Sequence, residues 1–497
     1  MRTAENRTDV IRNPYAGTDS RLVEPFAWKG LILFVVLINI LIILVLFSER
    51  SISPFWFSVI GLPCIFFIKY FTEENKNYYT PLLFVIFYVF GFLLPLPHLI
   101  LERRNLPSKG WAGIGSFSFT DREFLVISCV ICAGFIAFVT ASLFAEHILK
   151  RKKRSGKTLQ QVTISARRLA LWTVCWFVLS VLLLLLMWFL GIGRTGLIDR
   201  VTLPFRIAGI LSYSRKIVIP FFGLYFLDLS LRKRRIRLSI LILIGLFVIG
   251  VIGSIGGISR GIFFFTLFPS LIYLFFTSRK GSVNKKLFVN FIIAGIVSGI
   301  IMVYILDTLR TKAYKQRGLN VKQSVTILKN IREVNLIKAS SFFFTYATVR
   351  IEGMGRLMAV SSAPAKSTSI PFKLFWGDQE LRRRVDQNVV GFNPSTGNNL
   401  AFGFSYGIFA FLYLSGSLMI VYSGVTLIMI FIMMVEEIFL RHGNRSHALL
   451  FSILLCFELW HSPSTYTVVR YLAVLLLCLC LSKTVRKSIK ATWVKTT

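Results

Sequence analysis

Apolar runs of roughly twenty residues recur along this chain from Phe26 to Ser482, separated by short polar connections. A bilayer core about 30 Å thick takes about 20 helical residues to cross. The runs are continuously apolar and do not alternate, which predicts helices rather than the strands of a barrel. Spans are expected near 26–47, 54–71, 80–100, 123–146, 169–190, 217–230, 238–254, 261–277, 287–306, 403–438, 448–460 and 468–482. The pattern predicts an all-α integral membrane protein, a polytopic bundle of about a dozen transmembrane helices. The stretch 403–438 is longer than a straight crossing needs, so it is either tilted or preceded by a re-entrant segment. The first 25 residues are polar, and the run after them is long enough to stay in the membrane, so no cleavable signal peptide is expected.

The polar connections set the orientation. KRKKR at 150–154, RKRRIR at 232–237, Arg279–Lys280 with Lys285–Lys286, Arg441 with Arg445, and Lys483, Arg486, Lys487 and Lys490 all fall on one side of the expected bundle. Basic loops favour the cytoplasm, so both termini are expected there. The chain then divides into an N-terminal tail (1–25), nine spans (26–306) with a basic outer loop at 191–216, a large basic outer loop (307–399), three spans (400–482) and a basic tail (483–497). The long loop, expected to be partly helical, opposes its many Lys and Arg residues with six acids. Within it, 321–346 has helical apolar spacing and reads as an amphipathic surface helix. The segment 391–407 is rich in Gly, Ser and Asn and reads as a flexible approach to the next span.

Composition agrees with this picture: 55% of residues are apolar, Phe alone numbers 47, and only 16% are charged, against about 25% in a soluble domain. The net charge of +36 is compatible with nucleic acid, anionic lipid or an anionic substrate; its placement in loops between membrane spans favours the last two. The seven cysteines all lie in apolar runs, so no disulfide framework is expected in the large loop. Cys129 and Cys132 form a CxxC without a nearby His, which reads as packing. The chain has no phosphate-gripping Walker loop, HExxH or GxSxG. None of its five histidines lies in 307–399. No metal or cofactor is expected.

The candidate chemistry is therefore arginine and carboxylate chemistry at the outer end of the bundle. Arg194, Arg206, Arg260, Arg310 and Arg317 are candidate substrate-binding residues, because a guanidinium offers a charged planar fork that matches phosphate oxygens. Lipid headgroups are the alternative partner for the same groups. Arg350, Glu352 and Arg356 lie in VRIEGMGRL; Glu352 and Arg356 have i, i+4 spacing and would pair on a helix, leaving Arg350 for a ligand. Glu458 and His461, one turn apart in FELWHSPS, are either an interfacial pair or a general base, since ionisable groups at membrane depth usually face a cavity.

The architecture resembles the Wzy-type polymerases of O-antigen and enterobacterial common antigen, the oligosaccharide repeat unit polymerases. The resemblance covers roughly residues 190–470. It rests on the dozen spans, the late large outer loop, the smaller basic loop upstream, the GGISRG turn, and TVRIEGMGRL followed by IPFKLFWGDQE and NPSTGNNLAFGFSYG. It implies a metal-independent glycosyltransferase of lipopolysaccharide biosynthesis in the bacterial inner membrane. That enzyme would move a growing glycan from undecaprenyl diphosphate to the non-reducing end of a new undecaprenyl-diphosphate-linked oligosaccharide. Membrane lipids and a chain-length regulator are the implied partners, with no nucleic acid. The arginines would stabilise the departing diphosphate, and Glu352, His461 or Glu458 would deprotonate the attacking hydroxyl. An O-antigen ligase is the nearest rival, but its relatives carry a functional His in the large loop. A flippase or other transporter would be expected to show matching halves, and the largest loop here follows the ninth expected span.

Overall fold

The computed structural model describes residues 33, 36, 37, 40, 61, 78–101, 116–151, 166–193, 207–233, 235–277, 285–315, 353–390, 407–441, 445–461 and 464–489. The first two expected spans, 26–47 and 54–71, fall outside these apart from the five single positions, as do 321–346 and most of 391–407. The regular structure of the described residues is helical throughout. In chain order the helices are α1 (Thr80–Tyr88), α2 (Pro95–Leu101), α3 (Asp121–Arg151), α4 (Ala166–Leu190), α5 (Ile207–Tyr213), α6 (Ile219–Arg232), α7 (Ile236–Gly257) and α8 (Arg260–Thr277). They continue with α9 (Lys285–Lys315), α10 (Met354–Ser362), α11 (Ser369–Phe375), α12 (Gln379–Val390), α13 (Ile408–Tyr413), α14 (Leu418–Arg441), α15 (Arg445–His461) and α16 (Thr465–Ile489). Six stretches are long and apolar enough to cross a membrane: Asp121–Ala145, Ala166–Leu190, Ile207–Arg232, Ile236–Gly257, Leu418–Leu440 and Val468–Val485. Shorter apolar helices cover Thr80–Leu93, Gly261–Leu274, Ile293–Leu306 and Ser446–Trp460. The protein is an all-α, multi-pass membrane protein.

Two apolar helical stretches contain a turn of π-helix, and a proline stands two residues after the end of each. Between α1 and α2 the turn is Val89–Leu93, and the Leu94 N–H reaches back five residues to the Val89 carbonyl (2.9 Å). Pro95 comes next; it has no N–H to give to the Gly91 carbonyl four residues before it. That carbonyl is taken instead by the N–H of Gly353 (2.9 Å), at the start of α10. A proline in one helix thus opens a docking point for the loop. Between α5 and α6 the turn is Ser214–Val218, with the Ile219 N–H on the Ser214 carbonyl and Pro220 directly after.

The helices pack as two groups. In one, α3 lies along α14, with α1 and α13 beside them; in the other, α7 packs against α4, α6 and α8. Helix α15 touches both, meeting α14 and α1 on one side and α6 and α8 on the other. Its residues Ala448 to Leu455 are almost wholly enclosed. An aromatic cluster of Phe84, Phe87, Phe92, Phe138, Phe409 and Trp460 fills the first group; Phe84 stacks on Phe138 at 4.1 Å and meets Trp460 edge-on at 5.6 Å. Outward-facing apolar residues on α4, among them Leu171, Val174, Leu179, Leu182 and Phe189, form a face suited to lipid.

At the end where the basic connections lie, buried polar groups satisfy one another. The Glu436 carboxylate accepts from the N–H groups of Tyr79 and Thr80 and from the Thr80 hydroxyl, so it caps α1 from another helix. Glu437 accepts from the Tyr78 hydroxyl (3.1 Å). Asp228 accepts from Arg232 Nε (2.7 Å) and from the Tyr273 hydroxyl.

At the opposite end α10 is wedged against α3, α13 and the π-turn after α1, with Met354, Leu357, Met358 and Val360 fully enclosed. A Cβ on Gly353 would stand 2.3 Å from the Phe92 ring, so only glycine permits this approach. Lys366 fastens the following segment. Its ammonium donates to the carbonyls of Ser361 (3.0 Å) and Ala363 (2.8 Å) and lies 5.6 Å from the centre of the Tyr413 ring. Burial lowers its pKa from the ordinary lysine value. The expected long span at 403–438 is two helices, α13 and α14, separated by a turn at 414–417.

Candidate functional site

The helix that includes α5 and α6 begins at Ile207, so Arg215 and Lys216, which hydropathy assigns to the outer loop, lie within a crossing helix. Both sit on the π-turn. A π-turn widens the helix and rotates the residues after it, which is why such turns recur at functional positions. Arg215 is only 4% exposed, and its Nη2 donates to the Gly193 carbonyl (2.7 Å) just beyond the end of α4. The guanidinium also lies against Gly257, where an added Cβ would be 2.6 Å from Nη1. Gly257 is followed by Ile258 in left-handed conformation (φ 49°), which a β-branched residue rarely adopts. Local strain of this kind tends to collect where surrounding packing serves a site. One turn before Gly257, the Ser254 hydroxyl is buried with no hydrogen-bond partner among the described residues.

A second set of polar side chains meets the same end of the bundle. Tyr213, two residues before Arg215, accepts from Arg470 Nη1 on α16 (3.3 Å), and the guanidinium stacks over the phenol ring at 5.4 Å. Tyr213 also meets Tyr471 edge-on, with ring centres 5.8 Å apart. The Tyr471 hydroxyl donates to Glu458 Oε1 on α15 (2.6 Å). Three parts of the chain thus meet at this end: the end of α5 and the π-turn after it bring Tyr213, Arg215 and Lys216, α16 brings Arg470 and Tyr471, and α15 brings Glu458. This end of the bundle carries Arg215, Arg470 and the Glu458 carboxylate, residue types that suit an anionic ligand approached by a hydroxyl. Among the described residues no group of three or more His, Cys, Asp or Glu side chains could hold a metal ion.

No family model, curated protein or solved structure matches the chain. Any functional assignment therefore stands on this geometry and on the sequence.

Of the residues singled out from sequence, Glu458 lies within the cluster. His461 is the last residue of α15, on the same end; its side chain is not among those described. Arg260 opens α8 three residues after Gly257, which places its backbone beside the Arg215 pocket. Arg310 lies near the end of α9, and Arg356 is half-buried on α10. Arg194, Arg206, Arg317, Arg350 and Glu352 fall outside the described residues. The structure adds Arg215, Tyr213, Arg470 and Tyr471. A signal for Arg470 was present: it is the only charged residue between Thr465 and Ser482 in an otherwise apolar span, and intramembrane charges mark functional candidates.

Proposed function

We propose that this protein polymerises undecaprenyl-diphosphate-linked oligosaccharide repeat units, acting as a glycosyltransferase at the outer face of the bacterial inner membrane. The observation that carries this reading is that Arg215 and the Arg470–Tyr213 and Tyr471–Glu458 pairs all lie at the bundle end opposite the basic connections, linked through the stretch of helix that holds both Tyr213 and Arg215. In the proposed reaction the bond between the anomeric carbon and the diphosphate oxygen breaks, and the electron pair leaves with the diphosphate. A hydroxyl of the acceptor sugar forms the new bond to that carbon, and its proton passes to a carboxylate.

Arginines suit the leaving group because charge grows on it as the bond breaks, and preformed donors in a water-poor site stabilise that charge by several kcal/mol. Glu458 is the one carboxylate of this set, and it would take the hydroxyl proton directly or through Tyr471. Arg350, Glu352 and Arg356 remain proposed contributors from the large loop.

The test uses a strain lacking the gene, complemented by variants, with surface glycan resolved by length on a gel. Arg215→Ala is expected to abolish long chains while leaving a single-unit product, since a separate ligase would still transfer single units. Arg215→Lys should retain shortened chains, because charge remains and the planar fork is lost. Glu458→Gln should reduce chain synthesis by on the order of 100-fold. Loss of the single-unit product in the clean deletion would overturn the polymerase reading and favour a ligase or flippase.

A further inference from the structure

Helix α11 has two apolar faces. Pro371 and Leu374 turn into the protein, while Phe372 and Trp376, one turn apart, point outward with Lys373 beside them. Phe372 is 60% exposed, and Trp376, at 75%, is the most exposed large apolar side chain described. Two large exposed aromatics on one short helix are costly in water and signal an interaction surface.

The bonds that hold α11 fix its level. Just before it, the Ser367 N–H donates to the Leu414 carbonyl (3.1 Å), in the turn that opens α14. At its other end the Phe375 carbonyl accepts from the Thr465 hydroxyl (2.9 Å), the first residue of α16. The helix therefore lies across the mouths of two membrane crossings, at the depth where their apolar stretches begin. On α14 that depth is marked by Met419, 73% exposed and facing outward. The segment 364–390 also carries five basic residues (Lys366, Lys373, Arg382, Arg383 and Arg384) against three acids (Asp378, Glu380 and Asp386). Of the basic residues, Lys366 is turned onto the Ser361 and Ala363 carbonyls and Arg384 is partly offset by an exposed ion pair with Glu380, which leaves Lys373 beside the aromatic pair.

We propose that α11 is an interfacial anchor whose face of Phe372, Lys373 and Trp376 docks into the headgroup region of the adjacent phospholipid leaflet. The level, the aromatic pair and the basic excess all match that occupant. Trp and other aromatic rings settle at the headgroup boundary, where one edge is apolar and the other wet, and neighbouring Lys and Arg meet the phosphates. The anchor does not depend on the glycan reading. It would hold the rim of the bundle against the membrane at Thr465, five residues before Arg470.

The test uses the full chain in vesicles of phosphatidylethanolamine and phosphatidylglycerol. Trp376→Cys, in a variant with the seven native cysteines replaced, carries an environment-sensitive bimane. Lipids brominated near the top of the acyl chain should quench it at least twofold, while aqueous iodide should quench it far less than a bimane at Asp378→Cys. Full iodide access without quenching by brominated lipid would overturn the proposal. So would protection from iodide that appears only when oligosaccharide is added, which would mean that the aromatics hold sugar. If the cysteine-free chain does not fold, hydroxyl-radical footprinting of the wild-type protein in nanodiscs serves instead. The tryptic peptide Leu374–Arg382 contains one tryptophan, Trp376. Little oxidation there supports the anchor, and oxidation as rapid as in the denatured protein refutes it.

Discussion

A β-carbon added to Gly257 would stand 2.6 Å from Nη1 of Arg215 and 2.7 Å from Cδ1 of Ile262, well inside contact distance. Gly257→Ala is therefore expected to push the Arg215 guanidinium off the Gly193 carbonyl. Chain polymerisation should fall at least tenfold while the protein still inserts and accumulates. Gly209→Ala is the control, because a β-carbon there meets nothing within 4 Å; it should leave polymerisation unchanged and, by raising helix propensity, stabilise by up to about 1 kcal/mol. Glycan length on gels and thermal unfolding in detergent separate the two effects. The same pair of positions shows where reading the sequence stops. GGISRG reads as a glycine–arginine turn, which points to Arg260. The guanidinium lying against its second glycine belongs to Arg215, more than forty residues earlier, and no local pattern links the two.

Between α1 and α2, and again between α5 and α6, a proline within an apolar run is visible in the sequence, but the π-turn before it is not. Hydropathy finds the apolar run and ends it at the first basic residue, so a span read from 217 loses the turn that carries Arg215. Polar ends inside the bundle are hidden for the same reason. Glu436 reads as one of two acids at the end of a span, yet it is the cap of α1, more than three hundred residues away. Glu436→Ala would leave buried N–H groups of Tyr79 and Thr80 without their acceptor and should cost about 1–3 kcal/mol. Glu436→Gln keeps an acceptor oxygen and should lose less. A lower unfolding temperature for Ala than for Gln, with α1 the first segment to exchange its amide hydrogens, is the expected result.

At the scale of the whole molecule, Arg232, Arg235 and Arg441 lie at one end of the bundle with Asp228, Glu436 and Glu437, and the candidate site lies at the other. The positive-inside bias predicts that the basic end faces the cytoplasm. A cysteine placed at Ser340 or Ser367 should be labelled by an impermeant reagent from the periplasmic side, and one placed at Ser155 should not; labelling at Ser155 from outside would reverse the arrangement. The helical class and the six long apolar helices were readable because burial in lipid demands long apolar runs. The grouping of helices was not, because inside a membrane apolar side chains face lipid and protein alike. Helix α15 shows what that grouping entails. Its 17 residues make a rod of about 26 Å, short for a bilayer core of about 30 Å, and it is opened by Arg445 and His447 and interrupted by Glu458 near its end. A translocon offered this segment alone would have little reason to release it sideways into lipid. Its place between α14, α1, α6 and α8 has to be standing before it arrives, so the sequence in which the protein is assembled follows from the burial of this one helix.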